Sequence, residues 1–219
     1  FRMLGSSDSV SEPNVVLNTA VAESLRQFAD ILEGADNLES ALHELIRSVI
    51  RDHKRIIFNG NAYDPSWEKE AEARGLLSLK TTPDCLPYLL KEKNVKLFAT
   101  HKVYSETELR SRLEIMLSNY TKIIKIEART MLDMVHRDIL PAASRFAGEL
   151  ADTILSKKSV SKSISCRYEA ETLELASDLI DKASKELSTL ENAILELKKI
   201  TDSYEKAVFC KDKLLSSMD

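Results

Sequence analysis

The sequence predicts an all-α fold: a helical domain ending in a long antiparallel helical hairpin, with one short β-strand at the N-terminus. Three observations predict it. Five Gly and five Pro among 219 residues are too few for a turn-rich β architecture. Apolar residues recur at three- and four-residue spacing over residues 109–146 and again over residues 173–208, the period of a helix buried along one face. Between these stripes, residues 157–165 are rich in Ser and Lys and carry no apolar period, so the chain can turn back there.

Taken in order, Phe1-Arg2-Met3-Leu4 is apolar apart from its Arg and runs into Gly5-Ser6-Ser7-Asp8-Ser9, which reads as a strand entering a loop. A lone strand has nothing in this chain to pair with, so its neighbours are expected elsewhere. Pro13 begins a helix, where its fixed φ suits the first turn, and Leu17, Val21, Leu25, Phe28 and Leu32 line one face before a stop at Gly34. Asp36-Asn37-Leu38-Glu39 caps a second helix with Leu38, Leu42, Leu45, Ile46 and Val49 on its core side. That helix ends in Arg51, His53, Lys54 and Arg55, positive charges that favour the carbonyl end of the helix dipole.

The middle of the chain reads as short helices joined by loops. Ile56-Ile57-Phe58 ends in the turn Asn59-Gly60-Asn61, and Asp64-Pro65 supplies an N-cap and first position for a helix closed by Gly75. Trp67, the single tryptophan, is expected to anchor a core. Thr82-Pro83 starts another short helix, with Leu86, Leu89 and Leu90 as its apolar side and Pro87 limiting its regularity. Residues 94–101 offer one or two more turns.

Ser105-Glu106-Thr107-Glu108 is a capping box, in which hydroxyl and carboxylate satisfy orphan backbone donors, and it opens the longest helix. Its stripe runs through Leu109, Leu113, Met116, Tyr120, Ile124, Ala128, Met131, Val135, Ile139, Ala142 and Phe146, with a bend expected at Pro141. At about 1.5 Å per residue such a helix reaches roughly 80 Å and needs a partner to cover it. The last segment provides one: Leu173, Ala176, Ile180, Ala183, Leu187, Leu190, Ile194, Leu197, Thr201, Tyr204 and Val208 follow a coiled-coil seam. Folding back over the connector sets Leu190 and Leu197 beside Ile124 and Met131, and Val208 near Leu113, in a hairpin of residues 105–158 and 166–216.

Composition bounds the function. A formal charge of -4 gives no reason to expect nucleic-acid binding. Three cysteines, Cys85, Cys166 and Cys210, at wide spacing suggest reduced thiols in a cytoplasmic protein rather than a disulfide framework or zinc site. No apolar run reaches the length of a membrane span, and no signal peptide is evident. The opening Phe1-Arg2, without Met, suggests a segment of something longer.

Phosphate-cradling Gly-rich loops, nucleophile elbows and paired metal-binding histidines are absent from the sequence. His43, His53, His101 and His136 fall on separate elements and are expected to be surface or satisfied core residues. Arg129 and Asp133 suit an i,i+4 ion pair, and Glu127 falls close to the buried stripe, but one carboxylate makes no mechanism.

The stretch Phe1-Arg2-Met3-Leu4-Gly5-Ser6-Ser7 resembles the last active-site strand of type III glutamine synthetases, whose pattern there is Glu-Phe-Arg-Met-x-Gly-Ser-Ser. The resemblance continues in order through Pro13-Asn14-Val15-Val16-Leu17-Asn18-Thr19, Phe58-Asn59-Gly60-Asn61, Trp67, and Arg74-Gly75-Leu76 with Thr81-Thr82. It extends to Ile126-Glu127-Ala128-Arg129-Thr130-Met131 and Pro141-Ala142, beyond which the hairpin agrees in pattern more than in motif.

The resemblance implies the C-terminal part of an ATP-dependent ligase that phosphorylates the γ-carboxylate of glutamate and lets ammonia displace the phosphate. It implies Mg²⁺ or Mn²⁺ and ATP in the full-length parent, and none bound by this chain alone. Arg2 would contact glutamate or the transferring phosphoryl group, a task suited to a planar guanidinium, while the metal-binding Glu of the pattern would precede residue 1. Residues 1–35 would then close the catalytic domain with a remnant of its sheet, and residues 36–219 would form a helical C-terminal domain. The implied partners are its own catalytic domain and other subunits of a homo-oligomeric ring, with neither nucleic acid nor membrane. From the residues alone, a non-enzymatic helical module recruiting a partner through its coiled-coil seam stays open.

Overall fold

The computed structural model describes residues 9–218, and every regular element among them is helical. The strand expected over residues 1–4 lies outside the described residues. The chain divides into two compact units, residues 1–113 and 114–219.

In the first unit, helix α1 (Ser11–Leu32) begins two residues before Pro13, which sits in the first turn where no N–H is needed. Helix α2 (Leu38–Asp52) starts as expected, with the Asn37 side chain accepting from the Ser40 backbone N–H at 3.0 Å. A 3₁₀ turn (Lys54–Ile56) leads to α3 (Pro65–Ala73), whose Asp64 cap accepts from the Ser66 N–H at 2.8 Å. Gly75 then stops the helix in the left-handed region at φ 72°. Helix α4 (Thr82–Cys85), a 3₁₀ stretch (Leu86–Leu90) and α5 (Glu92–Thr100) bury Pro83, Leu86 and Phe98.

The faces of α1 and α2 correct the expectation. Leu17, Val21 and Leu25 are 63, 56 and 61% exposed, and the side that packs instead carries Glu12, Val15, buried Thr19 and Glu23. At 3.6 residues per turn these sides lie opposite one another, so α1 docks in this unit by its mixed polar face. Thr19 is satisfied, its hydroxyl donating to the Val15 carbonyl at 2.7 Å. On α2, Leu45 is buried while Leu38, Leu42 and Ile46 are exposed. Periodicity identifies an apolar side but not what covers it.

Helix α6 (Glu106–Met134) opens with the anticipated capping box: Glu108 accepts from the Ser105 N–H at 2.7 Å, and Ser105 Oγ accepts from the Glu108 N–H at 3.3 Å. A π-helical turn (Val135–Ile139) separates it from α7 (Leu140–Val160). Pro141 lies in the first turn of α7, two residues past that π turn, and the widened turn absorbs the hydrogen bond and space that proline denies a regular helix.

In the second unit, α7 turns through residues 161–166 and packs against α8 (Arg167–Leu197), forming the antiparallel hairpin. Lys157 pairs with Glu169 near the turn, and His136 lies 3.3 Å from Glu191 further along. The expected continuation of α8 through Val208 is overturned. The helix stops after Leu197, and Asp202 caps α9 (Ser203–Phe209) by accepting from the Glu205 N–H at 2.8 Å. Through a π-helical turn (Cys210–Leu215) and α10 (Ser216–Met218), the chain returns along α8. Val208 therefore sits on a returning third helix, not on an extended hairpin arm. Cys210 and Leu214 enter one core with Ile124, Ala128, Leu190, Ala193, Ile194 and Leu197, and Met131 packs against it, so the stretch from Leu190 to Leu197 does share a core with the stretch from Ile124 to Met131. No α7 residue is fully buried, and the buried residues of α8 all lie from Leu187 onward, which makes the far half of the hairpin a two-helix ribbon.

Candidate functional site

Arg2, the substrate-binding candidate, lies outside the described residues. Several of the other motif residues converge on a junction in the first unit. Trp67, in the first turn of α3, stacks on Phe58 with ring centroids 3.9 Å apart and planes inclined by 27°. Arg74, at the other end of α3, lies over both rings, 5.4 Å from Trp67 and 5.9 Å from Phe58. Its Nη1 donates to the Ile57 carbonyl at 2.9 Å and the Arg55 carbonyl at 3.3 Å, and its Nη2 pairs with Glu70. Gly60 sits so close beneath Phe58 that a Cβ would fall 2.6 Å from a ring carbon. Cation–π contact, stacking and a forked guanidinium thus tie the loop before α3 to both ends of that helix. The junction contains no nucleophile paired with a base. Its work is to fix the loop.

A second set of contacts fastens α1 to later parts of the same unit. Glu23 accepts from Arg26 at 2.8 and 3.0 Å and from Gln27 at 2.7 Å, and lies 2.8 Å from Nε2 of His101. Arg26 first, then Gln27 and His101, hold the Glu23 carboxyl well below the usual carboxylate range. Glu12 pairs with Arg112, whose guanidinium lies 4.2 Å above the Tyr104 ring, and Tyr104 in turn meets Phe98 at 5.5 Å. Sequence reasoning missed these pairs, because Glu23 and His101 stand 78 positions apart and nothing local couples them.

The Ile126–Met131 motif divides by helical side. Ala128 is fully buried in the core of the second unit, while Glu127, Arg129 and Thr130 are exposed. Glu127 therefore does not sit within the buried stripe, and among the described residues no ion pair joins Arg129 to Asp133. His43 and His53 are exposed and isolated, and His136 faces Glu191 alone. Among the described residues no group of three or more His, Cys, Asp or Glu could hold a metal ion. The described residues thus do not fit a divalent-metal site, and no phosphoryl-transfer step is derived on them. No helix among them is long and apolar enough to cross a membrane.

Comparison with known proteins gives these junctions a context. Residues 41–158 match the family described as the glutamine synthetase C-terminal domain. A type-3 glutamine synthetase of Dictyostelium discoideum is 40% identical over 159 residues, covering 71% of this chain and 22% of that protein. A glutamine synthetase of Butyrivibrio fibrisolvens is 33% identical over 184 residues, covering 84% of this chain and 26% of the relative. One from Bacteroides fragilis (strain YCH46) is 27% identical over 164 residues, 73% of this chain and 22% of its own length. The chain spans about a quarter of the curated relatives it matches. The aromatic–arginine junction and the first turns of the hairpin fall within the matched region, and on that match the chain belongs to the glutamine synthetase C-terminal domain family.

Proposed function

We propose that this chain serves as the C-terminal part of a glutamate–ammonia ligase, which amidates glutamate through a γ-glutamyl phosphate at the expense of ATP. The family match over residues 41–158 carries this reading. The bare stripes Leu17, Val21, Leu25 on α1 and Leu42, Ile46, Ile50 on α2 support it, since they are apolar surface suited to packing on the body of a larger protein. Residues 1–35 close the catalytic domain, and residues 36–219 act as a structural and assembly domain that is inactive alone. Mg²⁺ or Mn²⁺ and ATP belong to the remainder of the parent. The parent works in the cytoplasm as a homo-oligomeric ring.

Arg2 supplies this chain's one contact to the reacting groups. Lysine keeps the charge but not the planar fork, so Arg2→Lys in the longer protein lowers turnover by about a hundredfold while folding and assembly persist. A surface salt bridge at that position would contribute about 1 kcal/mol or less to stability and nothing to rate, so near-normal turnover of the Lys variant removes Arg2 from the chemistry. Against the alternative of a recruitment module with an exposed coiled-coil seam stands the burial of Leu187, Leu190, Ile194 and Leu197 within the chain.

A further inference from the structure

The second unit contains a cationic recess that the ligase reading does not use. It lies where the break after α8 meets the middle of α6, and it has a volume of about 370 Å³. Ser118, Thr121, Lys122 and Lys125 project from successive turns of α6 on one side, Lys198 closes the end of α8, and Ser203 and Lys206 come from α9. The lining therefore holds four ammonium groups, three hydroxyls and no carboxylate. None of the four lysines is in an ion pair among the described residues, although the chain as a whole carries more acidic than basic groups, 35 against 31. Lys125 and Lys206 are half-buried, and both line the recess.

Gathering like charges is unfavourable unless something of opposite sign is placed among them. The dipole at the end of α8 accounts for Lys198. It does not account for Lys122, Lys125 and Lys206, which belong to other helices and converge on the same space. We propose that this recess binds a small phosphate-bearing anion, a di- or triphosphate group, held by the four ammonium charges with the hydroxyls of Ser118 and Ser203 donating to its oxygens. Lysine binds phosphate as a point charge, without the fixed fork of arginine, so several lysines around one recess suit an anion with charge spread over linked phosphates. Leu197 is the one apolar side chain of the lining, so the recess offers a base or other organic group little to pack on. Ligand binding at the junction of α6, α8 and α9 would also hold the returning terminal helix in place.

The test titrates the full chain with inorganic tripolyphosphate by calorimetry at low salt, then repeats it with pyrophosphate, ADP and adenosine. Saturable one-to-one binding is expected, weakening steeply with salt as an ion-pairing site must. Lys122→Met with Lys206→Met, shown by circular dichroism to be folded, is expected to lose at least about tenfold in affinity. Lys182→Met with Lys185→Met, on exposed positions of α8 outside the recess, should bind as the parent chain does. ADP binding more tightly than pyrophosphate assigns the phosphates to a nucleotide, and equal binding assigns them to a free polyphosphate. No saturable binding at about 1 mM tripolyphosphate, an equal loss in both double variants, or adenosine binding as well as ADP would overturn the proposal.

Discussion

Leu214→Ala tests the packing that most changes the reading of the C-terminal end. Leu214 is 0% exposed and sits in the core with Ile124, Ala128, Leu190, Ile194 and Leu197, yet it lies on the returning segment that no helical period announced. Truncating a fully buried leucine removes its transfer free energy and leaves a cavity, together about 3 kcal/mol. The comparison is Leu175→Ala, on α8 but 60% exposed, where the cost should stay below about 0.5 kcal/mol. Urea unfolding followed by circular dichroism reads the difference as a shift in midpoint at unchanged slope. Both residues are leucines on helices, so propensity cancels and burial alone separates them. If the two variants lose equal stability, the terminal helix does not dock on α8 and the three-part core is wrong.

Arg74→Lys should cost about 1 kcal/mol and alter the fluorescence of Trp67, since an ammonium cannot bond two carbonyls and a carboxylate while lying across both rings. Glu23 contributes to the acid limb of stability: its carboxyl is depressed in the fold, chiefly by Arg26, so its contribution is present above the usual carboxylate range and is lost as pH falls below it. A chemical-denaturation series from about pH 6 to pH 2 should therefore be flatter for Glu23→Gln than for the parent. Thiol labelling should reach exposed Cys85 first and leave Cys166 and Cys210 protected until unfolding. Burial pushes the Cys210 thiol up to about 11, which favours the neutral form in the fold, so its contribution is constant below the ordinary thiol range and lost as pH rises through 11. A thiol-to-alkyl change at Cys210 should remove that alkaline loss.

Local chemistry was legible in the sequence wherever one short stretch contained both partners. The Ser105 capping box, the Asn37 and Asp64 caps and the Gly75 stop all occur where their residues indicate, because each is a bond between neighbours. The hairpin was legible because its two stripes match in period and length. Its end was not, although the signal existed: Asp202 with Glu205 marks a new helix start, but the apolar spacing runs on through Thr201 and Tyr204 and conceals the break. The exposed stripe of α1 was misassigned because an apolar face predicts burial without naming the partner, and the polar face made the contacts in this unit. The aromatic–arginine junction was visible only as scattered motif letters, since stacking between Phe58 and Trp67 depends on a loop path that Gly60 permits. The lysine recess was invisible, for its residues come from three helices brought together by that unforeseen return.

The central claim, that this chain is the C-terminal part of a glutamate–ammonia ligase, is tested most directly by a paired assay. Glutamine formation from glutamate, ammonia and ATP with Mg²⁺ or Mn²⁺ is measured for the longer protein that carries these residues and for the 219-residue chain alone. The account predicts turnover by the longer protein and none by the isolated chain, which should still be strongly helical by circular dichroism. Turnover by the isolated chain, or a longer protein that folds yet makes no glutamine, would contradict it.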